Sequence, residues 1–455
     1  MLYSLIAVSA FLVMIGLFYR WAIVIFFLTF TYSELIDATN YLNHYYLVSL
    51  QAFLLIFLPA NKAFSIDAWR KGKTITLVPQ WTIYSLMLLV SIIYLFAGLA
   101  KLNPDWLLRA MPLAAWLPEH SDFPLIGYLF NYTETAFLFS WGGAFYDLFI
   151  VFFLLNARTR PFAYIAVLFF HLMTWYLFNI GLFPFIMIFS TLIFFSGEAH
   201  RRGLVFLTKD KGQRTKDKSS FLSLREWIAG RRIGELEQRQ NLTKDKGQRI
   251  KDKDSSFLSL CKSIVGRRIG QPESRKEDKL PNLALTRTPP ASLGSFAFYS
   301  LKENKILRLG LIAFFLIQLS LPFRHIFYPG NLLWTEEGYR FSWRVMLVEK
   351  SGQAFFYVKD PTTGKKIEVD NSRFLTEFQE KQMSVQPDFM VQYAHFLKQH
   401  YQKQYNIPNP EITTLSYVAL NGRTSQQFID PEINLASITD NFTPKNWILP
   451  NNVIW

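Results

Sequence analysis

QWTIYSLMLLVSIIYLFAGLAKLNPDW, residues 80–106, runs uncharged from Gln80 to Ala100, then meets Lys101 and the turn residues Asn-Pro-Asp-Trp. A helix rises about 1.5 Å per residue, so a run of this length crosses the roughly 30 Å of a bilayer's hydrocarbon. The stretch is therefore a membrane-crossing helix that ends on a cation. Two readings of Lys101 stand. Its stem can lie along apolar surface while the ammonium reaches water, or the amine is desolvated, loses its charge more readily and acts as a base. Pro104, Asp105 and Trp106 form an interfacial turn that would hold the lysine in place.

Outward from this segment the same pattern recurs. Candidate spans lie at about 2–18, 22–36, 45–60, 81–100, 136–155, 161–180, 182–197 and 308–322, with the third and the last the shortest. The 455 residues are 51% hydrophobic and 17% aromatic, and the 44 Phe, 21 Tyr and 12 Trp suit a protein with aromatic belts at the membrane surface. A single cysteine, Cys261, excludes an internal disulfide framework and a cysteine-based zinc site. The apolar N-terminus runs past Arg20 without a small-residue cleavage site, so no cleavable signal peptide is read.

If all eight segments cross, successive loops alternate sides. One side receives Arg20, then Lys62, Arg70, Lys71 and Lys73, then Arg158 and Arg160, then the basic stretch 198–307. The other receives Asp37, the 101–135 loop and everything after residue 322. The excess of Lys and Arg makes the first side cytoplasmic. Lys101, His44 and the C-terminal portion are thus expected on the extracytoplasmic side.

The net charge of +14 belongs mostly to residues 198–307, which hold 25 basic and 13 acidic residues. Within it TKDKGQRTKDK (208–218) recurs as TKDKGQRIKDK (243–253), SSFLSL (219–224) as SSFLSL (255–260) and GRRIG (230–234) as GRRIG (266–270). Two copies are too few for a self-supporting solenoid, and the composition reads as a disordered cytoplasmic insertion suited to anionic lipid. Charge without interleaved aromatics or a known motif carries no nucleic-acid reading.

Beyond the last span, YRFSWRVMLVEK (339–350), QAFFYVKD (353–360) and EITTLSYVAL (411–420) read as strands, with DPTTGK (360–365) as a turn before KIEVD. FMVQYAHFLKQHYQKQY (389–405) has helical spacing with Phe389, Tyr393, Phe396 and Leu397 on one face. The expected architecture is mainly α, in four parts. These are a helical membrane bundle over 1–200, the insertion at 201–300, a final span at 301–325, and an outward-facing α+β domain, rich in strand, over 326–455.

Ionisable residues in or beside spans are functional candidates by default. Besides Lys101 these are Asn43 and His44 in a short outer connection beside Asp37, His171 about ten residues into the sixth span, Asp147 in GGAFYDLFIVFF, and His325 just past the last span. For His44 plain solvation is the bland alternative, and for His171 a hydrogen bond to a neighbouring helix. The carboxylate of Asp147 must find a donor or stay protonated. No H-E-x-x-H, Gly-rich phosphate loop or G-x-S-x-G elbow occurs, which removes the usual support for zinc, nucleotide and serine-hydrolase chemistry.

AGLAKLNPDW (97–106), LIDATNYLNHYYLVSLQAF (35–53), FFHLMTWYLFNIGLF (169–183), LPFRHIFYPGNLLWTEEGYRFSWRVML (321–347) and FIDP (428–431) together resemble vitamin K-dependent gamma-glutamyl carboxylase and the bacterial relatives that share its HTTM-type transmembrane domain. The similarity covers nearly all of the chain outside about 205–295. It implies a multi-pass enzyme, in the inner membrane of a bacterium, that uses reduced vitamin K, a naphthohydroquinone, with O2 and CO2. In the family a lysine matching Lys101 takes a proton from the hydroquinone, an Asn-His pair matching Asn43 and His44 lies at the site, and the quinone leaves as its epoxide while a glutamate in a protein substrate is carboxylated. His171 is a further quinone-binding candidate. This chain departs from the animal enzymes in having Ala100 rather than a second lysine, and Thr174 and Trp175 after the histidine. An additional N-terminal span and a longer C-terminus in the family lead to the expectation that this chain is truncated or differently started. Two other functions compete: a quinone-oxygenating epoxidase without protein carboxylation, and a non-enzymatic membrane scaffold or transporter.

Overall fold

The structure is a computed structural model and describes residues 1–72, 78–178, 180–208, 301, 304–439 and 441–451. The segments 1–194 and 294–455 form one compact unit, and Phe195–Leu293 a second. Of the second unit the helix Gly197–Thr208 is described; the repeats of the insertion and Cys261 lie outside the described residues.

Among the described residues up to Ser320 the α-helices are, in chain order, α1 (Leu2–Ile15), α2 (Tyr19–Ile36), α3 (Asn43–Phe57), α4 (Ile66–Arg70), α5 (Gln80–Ala100), α6 (Pro104–Arg109), α7 (Leu113–Trp116), α8 (Thr133–Leu155), α9 (Arg160–Phe178), α10 (Phe183–Thr191), α11 (Gly197–Thr208) and α12 (Lys305–Ser320). Every candidate span is helical. Among the described residues five helices are long and apolar enough to cross a membrane: α2, α5, α8, α9, and α12 with its 3-10 continuation to Phe327. The expected eight spans are therefore not all of full length. α1, α3 and α10 have 14, 15 and 9 residues, about 13 to 23 Å of helix. The last span, expected to be among the shortest, has 23 residues once that continuation is counted.

Local chemistry sets the ends. Gly16 closes α1 with φ 64°, and a Cβ there would come within 2.4 Å of Ser65 Cβ. The carboxylate of Asp67 accepts from the backbone N–H groups of Phe18 and Tyr19 at 3.0 and 3.1 Å, which ties the α1–α2 turn to α4. Asn103 caps α6 by accepting from the Trp106 N–H at 3.0 Å, and Pro104 takes the first helical position. α5 and α8 lie close because Gly98 has no side chain; a Cβ there would stand 2.7 Å from the Leu148 backbone nitrogen.

The C-terminal part carries a four-stranded antiparallel sheet in the order β2-β1-β3-β4, where β1 is Lys350–Lys359, β2 Lys366–Glu368, β3 Glu411–Leu420 and β4 Gln426–Gln427. β1 and β3 pair along their length, from Lys350 opposite Leu420 to Lys359 opposite Glu411. The expectation of a strand-rich domain is met by these two long strands only. The helix Pro387–Tyr405 packs on the sheet through Phe389, Met390, Tyr393 and Leu397, while Phe396, expected on the same face, is 46% exposed. Residues 339–349, expected as a strand, run irregularly, because Phe341, Trp343 and Met346 take positive φ and break any ladder. This α+β part and the α5–α8 end share one core, in which Trp106, Leu113 and Leu117 join Phe356, Leu397 and Ile412.

Two sets of polar contacts and one packing contact fix which helix ends lie beside the α+β part. Asn43 Nδ2 donates to the Arg344 carbonyl at 3.0 Å. The Ala38–Asn40 turn packs on Glu377–Met383. The carboxylate of Asp105 accepts from Arg423 and, at 3.0 Å, from Asn421 Nδ2.

Candidate active site

Lys101 follows the last residue of α5, and its side chain folds back along the helix rather than out to water. Nζ lies 3.4 Å from the Ala97 carbonyl and 2.7 Å from Asp147 Oδ2, and stands 5.2 Å from the centre of the Trp106 ring. Both partners of the ion pair are 5% exposed, so the bland reading of a snorkelling lysine fails. The alternative of an isolated amine is also incomplete: a carboxylate lies within hydrogen-bond distance of the nitrogen.

The neighbouring turn holds this pair. The Trp106 indole N–H donates to the Ser140 carbonyl at 2.6 Å and the Ser140 hydroxyl donates to the Trp106 carbonyl, a reciprocal clamp between α6 and α8. Asp147 follows two helical turns later, at the depth of Lys101. Across from the pair, on α9, His171 Nε2 lies 2.9 Å from the Tyr94 hydroxyl of α5. His171 is 3% exposed, and its Nδ1 has no hydrogen-bond partner among the described residues.

Lys101, Asp147, His171 and Tyr94 line one cavity enclosing about 640 Å³ of open space with its mouth. Trp106, Phe139, Phe170, Phe178 and Phe183 supply aromatic walls, and Val345 and Met346 of the irregular segment 339–349 close one side. An apolar, aromatic-walled cavity with a few convergent polar groups is the usual form of a small-molecule site. The residues fit a fused aromatic ring bearing oxygens, and His171 Nδ1 offers one buried polar atom still free to bond it. Among the described residues no group of three His, Cys, Asp or Glu could hold a metal ion.

The structure thus brings Lys101 and His171 together but sets Asn43 and His44 apart from the cavity lining. Asn43 bonds the Arg344 carbonyl and accepts from the Tyr41 hydroxyl at 3.2 Å, so it anchors the segment that closes the cavity. His44 is 8% exposed at the start of α3. Phe183 stands between the two histidines, its ring centre 6.0 Å from that of His44 and 6.2 Å from that of His171. His325, expected just past the last span, lies instead within it, in the 3-10 continuation Leu321–Phe327. Asp147 was legible as a buried carboxylate in need of a donor; that Lys101 is the donor was not. Tyr94 carried no signal, being one aromatic among many in a span.

Two family profiles match the chain: the HTTM domain over residues 1–198, and the vitamin K-dependent gamma-carboxylase lumenal domain over residues 303–453. No solved structure matches it. The two profiles fall on the helical bundle and on the last span with the α+β part, in the order the resemblance implied, and the chain belongs to the vitamin K-dependent gamma-carboxylase family as a carboxylase-like membrane protein.

Proposed function

We propose that the protein oxidises a reduced naphthoquinone of the vitamin K type with O2 and uses this to carboxylate glutamate with CO2, with Lys101 as the base that starts the reaction. The observation that carries the reading is the buried Lys101–Asp147 pair in the wall of an aromatic cavity. When bound, the quinone supplies with oxygen a base strength that no side chain has, since general-base catalysis works best near matched pKa values and the γ-carbon of glutamate is a very weak acid.

The residues do the rest. An ammonium facing a carboxylate and an amine facing a carboxylic acid contain the same number of protons, so moving one proton from Nζ to Asp147 Oδ2 uncovers the lysine lone pair without a charge entering or leaving the cavity. Both groups are buried, so the transfer takes place away from water. The face of Trp106 and the Ala97 carbonyl stabilise Nζ when it carries the proton again. His171, held by Tyr94, is placed to orient a ring oxygen through Nδ1, and the aromatic walls exclude water. His44 and Asn43 act from behind Phe183 and Arg344.

The same contacts support a topology of eight passes with the α+β part outside. Asn43 at the start of α3 and Asp105 beyond the end of α5 both touch the α+β part, so α3 and α5 run in opposite directions across the bundle. From Asp105 to that part the chain passes through α8, α9 and α12; return to the same side needs a fourth pass, which α10 and its continuation to Phe194 supply. α1 packs along α2 as the eighth. The basic loops then face the cytoplasm.

The test is to supply reduced vitamin K, CO2 and a glutamate peptide to the purified protein and to analyse quinone and peptide by mass spectrometry. Epoxide with γ-carboxyglutamate is the expected result. Epoxide alone would establish the epoxidase instead, and neither product would favour the scaffold.

A further inference from the structure

α3 begins beside the α+β part and ends at Phe57 on the opposite side of the bundle, where the α1–α2 turn meets the segment 58–72. The join is closely fitted. Gly16 packs on Ser65, Asp67 holds the start of α2, and the Arg20 guanidinium donates to the Ile56 carbonyl near the end of α3. Arg70 of α4 lies over the Phe18 ring, 5.2 Å from its centre, and Lys71 follows at the end of α4. Lys62, from the connection between α3 and α4, is half-buried among them; burial, and then the charges of Lys71 and Arg20, lower its pKa. Four cations thus gather at one end of the bundle.

Their charge is not answered from within the chain. Asp67 is the sole acid of the segment 58–72, and both its oxygens are engaged: Oδ1 accepts from the Phe18 N–H, and Oδ2 from the Tyr19 N–H and, at 3.0 Å, from Asn61 Nδ2. Among the described residues none of Lys62, Arg70 and Lys71 forms an ion pair. The aromatic side chains at the same level indicate where an anion would lie. Phe18, Phe64 and Trp69 are 56, 89 and 81% exposed. Phe18 and Phe64 also take φ 48° and 50°, a left-handed conformation that bulky residues rarely adopt. Two strained positions therefore carry rings that nothing in the chain covers. Rings interleaved with Lys and Arg fit the headgroup layer of a bilayer, where the rings enter the acyl boundary and the cations meet phosphate.

We propose that this end of the bundle holds the phosphate headgroup of an anionic phospholipid of the cytoplasmic leaflet, with Lys62 and Lys71 as its principal partners and Arg20 and Arg70 beside them. The inference takes from the reading above only that this end faces the cytoplasm, and it stands whether or not the protein carboxylates glutamate. A soluble phosphate would answer the cations but leave the rings in water; a lipid covers both. A zwitterionic headgroup would bring its own ammonium against the same cations, so charge complementarity selects an anionic one.

The experiment measures lipid binding without turnover. Full-length protein in detergent is titrated with phosphatidylglycerol and with phosphatidylcholine of the same acyl chains, and bound lipid is counted by native mass spectrometry. The wild type is expected to prefer phosphatidylglycerol, and Lys62→Gln with Lys71→Gln to lose about tenfold or more of that preference. An unchanged preference in the double variant would overturn the proposal and assign lipid binding to the basic stretch 198–307 instead. Lys71→Glu alters an exposed side chain only, so it serves if the double variant does not fold; weaker retention of phosphatidylglycerol is expected, and undiminished retention counts against the site. Inorganic phosphate, added at constant ionic strength, separates the two sources of anion: phosphatidylglycerol that stays bound supports the assignment, whereas its complete displacement overturns it. Lysine-dependent lipid binding in a protein that makes no γ-carboxyglutamate upholds the site and contradicts only the carboxylation reading.

Discussion

Removing the carboxylate of Asp147 leaves the Lys101 ammonium buried with no counter-charge, and the reverse substitution strands the carboxylate. Breaking a buried pair by one partner costs about 3–5 kcal/mol, while replacing both partners by apolar residues of similar volume is often neutral or better. Asp147→Ala and Lys101→Ala are therefore each expected to lower the thermal melting point in detergent, and Lys101→Met with Asp147→Leu to recover most of it while remaining inactive. A double variant no more stable than the singles would show that the two side chains are not partners. Both residues stood out in the sequence as polar groups in apolar surroundings, yet their pairing was hidden. Lys101 ends its helix, whereas Asp147 lies about 21 Å along α8 from Thr133. They meet because α8 projects past the end of α5, where Ser140 is clamped to Trp106.

Among elements, the contact of α5 with α8 depends on one small residue. A Cβ on Gly98 would meet the Leu148 backbone at 2.7 Å, which cannot yield cheaply, while a Cβ on Gly143 would meet only the Trp106 ring edge at 3.6 Å. Gly98→Ala is expected to push the helices apart and lower the melting point; Gly143→Ala is expected to leave the melting point close to wild type. Equal effects of the two on melting would show that the close approach at Gly98 does not hold the helices together. The junction of α6 with the α+β part has its own signature in pH. Burial alone raises the pKa of Asp105, but hydrogen bonds from Arg423 and Asn421 outweigh it and hold the carboxyl below its usual value. Such a group contributes stability that is full above the unfolded pKa of about 3.9 and is lost as pH falls through the lower folded value. Melting curves from pH 7 to 3 should fall more steeply for wild type than for Asp105→Asn, which is the less stable of the two at pH 7. The helices themselves were legible because length and apolar runs define them. Segment 339–349 was not, since its apolar alternation follows left-handed turns against the cavity rather than a strand's pleat.

For the molecule as a whole, the family and the order of its parts were readable from motifs spread along the chain, whereas the count of full-length spans was not. Short helices such as α10 depend on neighbours rather than on their own length. The topology predicts that Thr362→Cys, in the exposed turn after β1, reacts with a membrane-impermeant maleimide in intact cells once Cys261 is replaced by Ser, and that Arg158→Cys, between α8 and α9, reacts only after permeabilisation. The opposite pattern would invert the assignment of sides. The claim on which the rest depends is that the Lys101 amine takes the first proton. It is tested most directly by the initial rate of epoxide formation from reduced vitamin K in wild type and Lys101→Ala, each shown folded by its melting curve. A fall of about a hundredfold or more in the variant is the predicted result, and a rate equal to wild type would contradict the account.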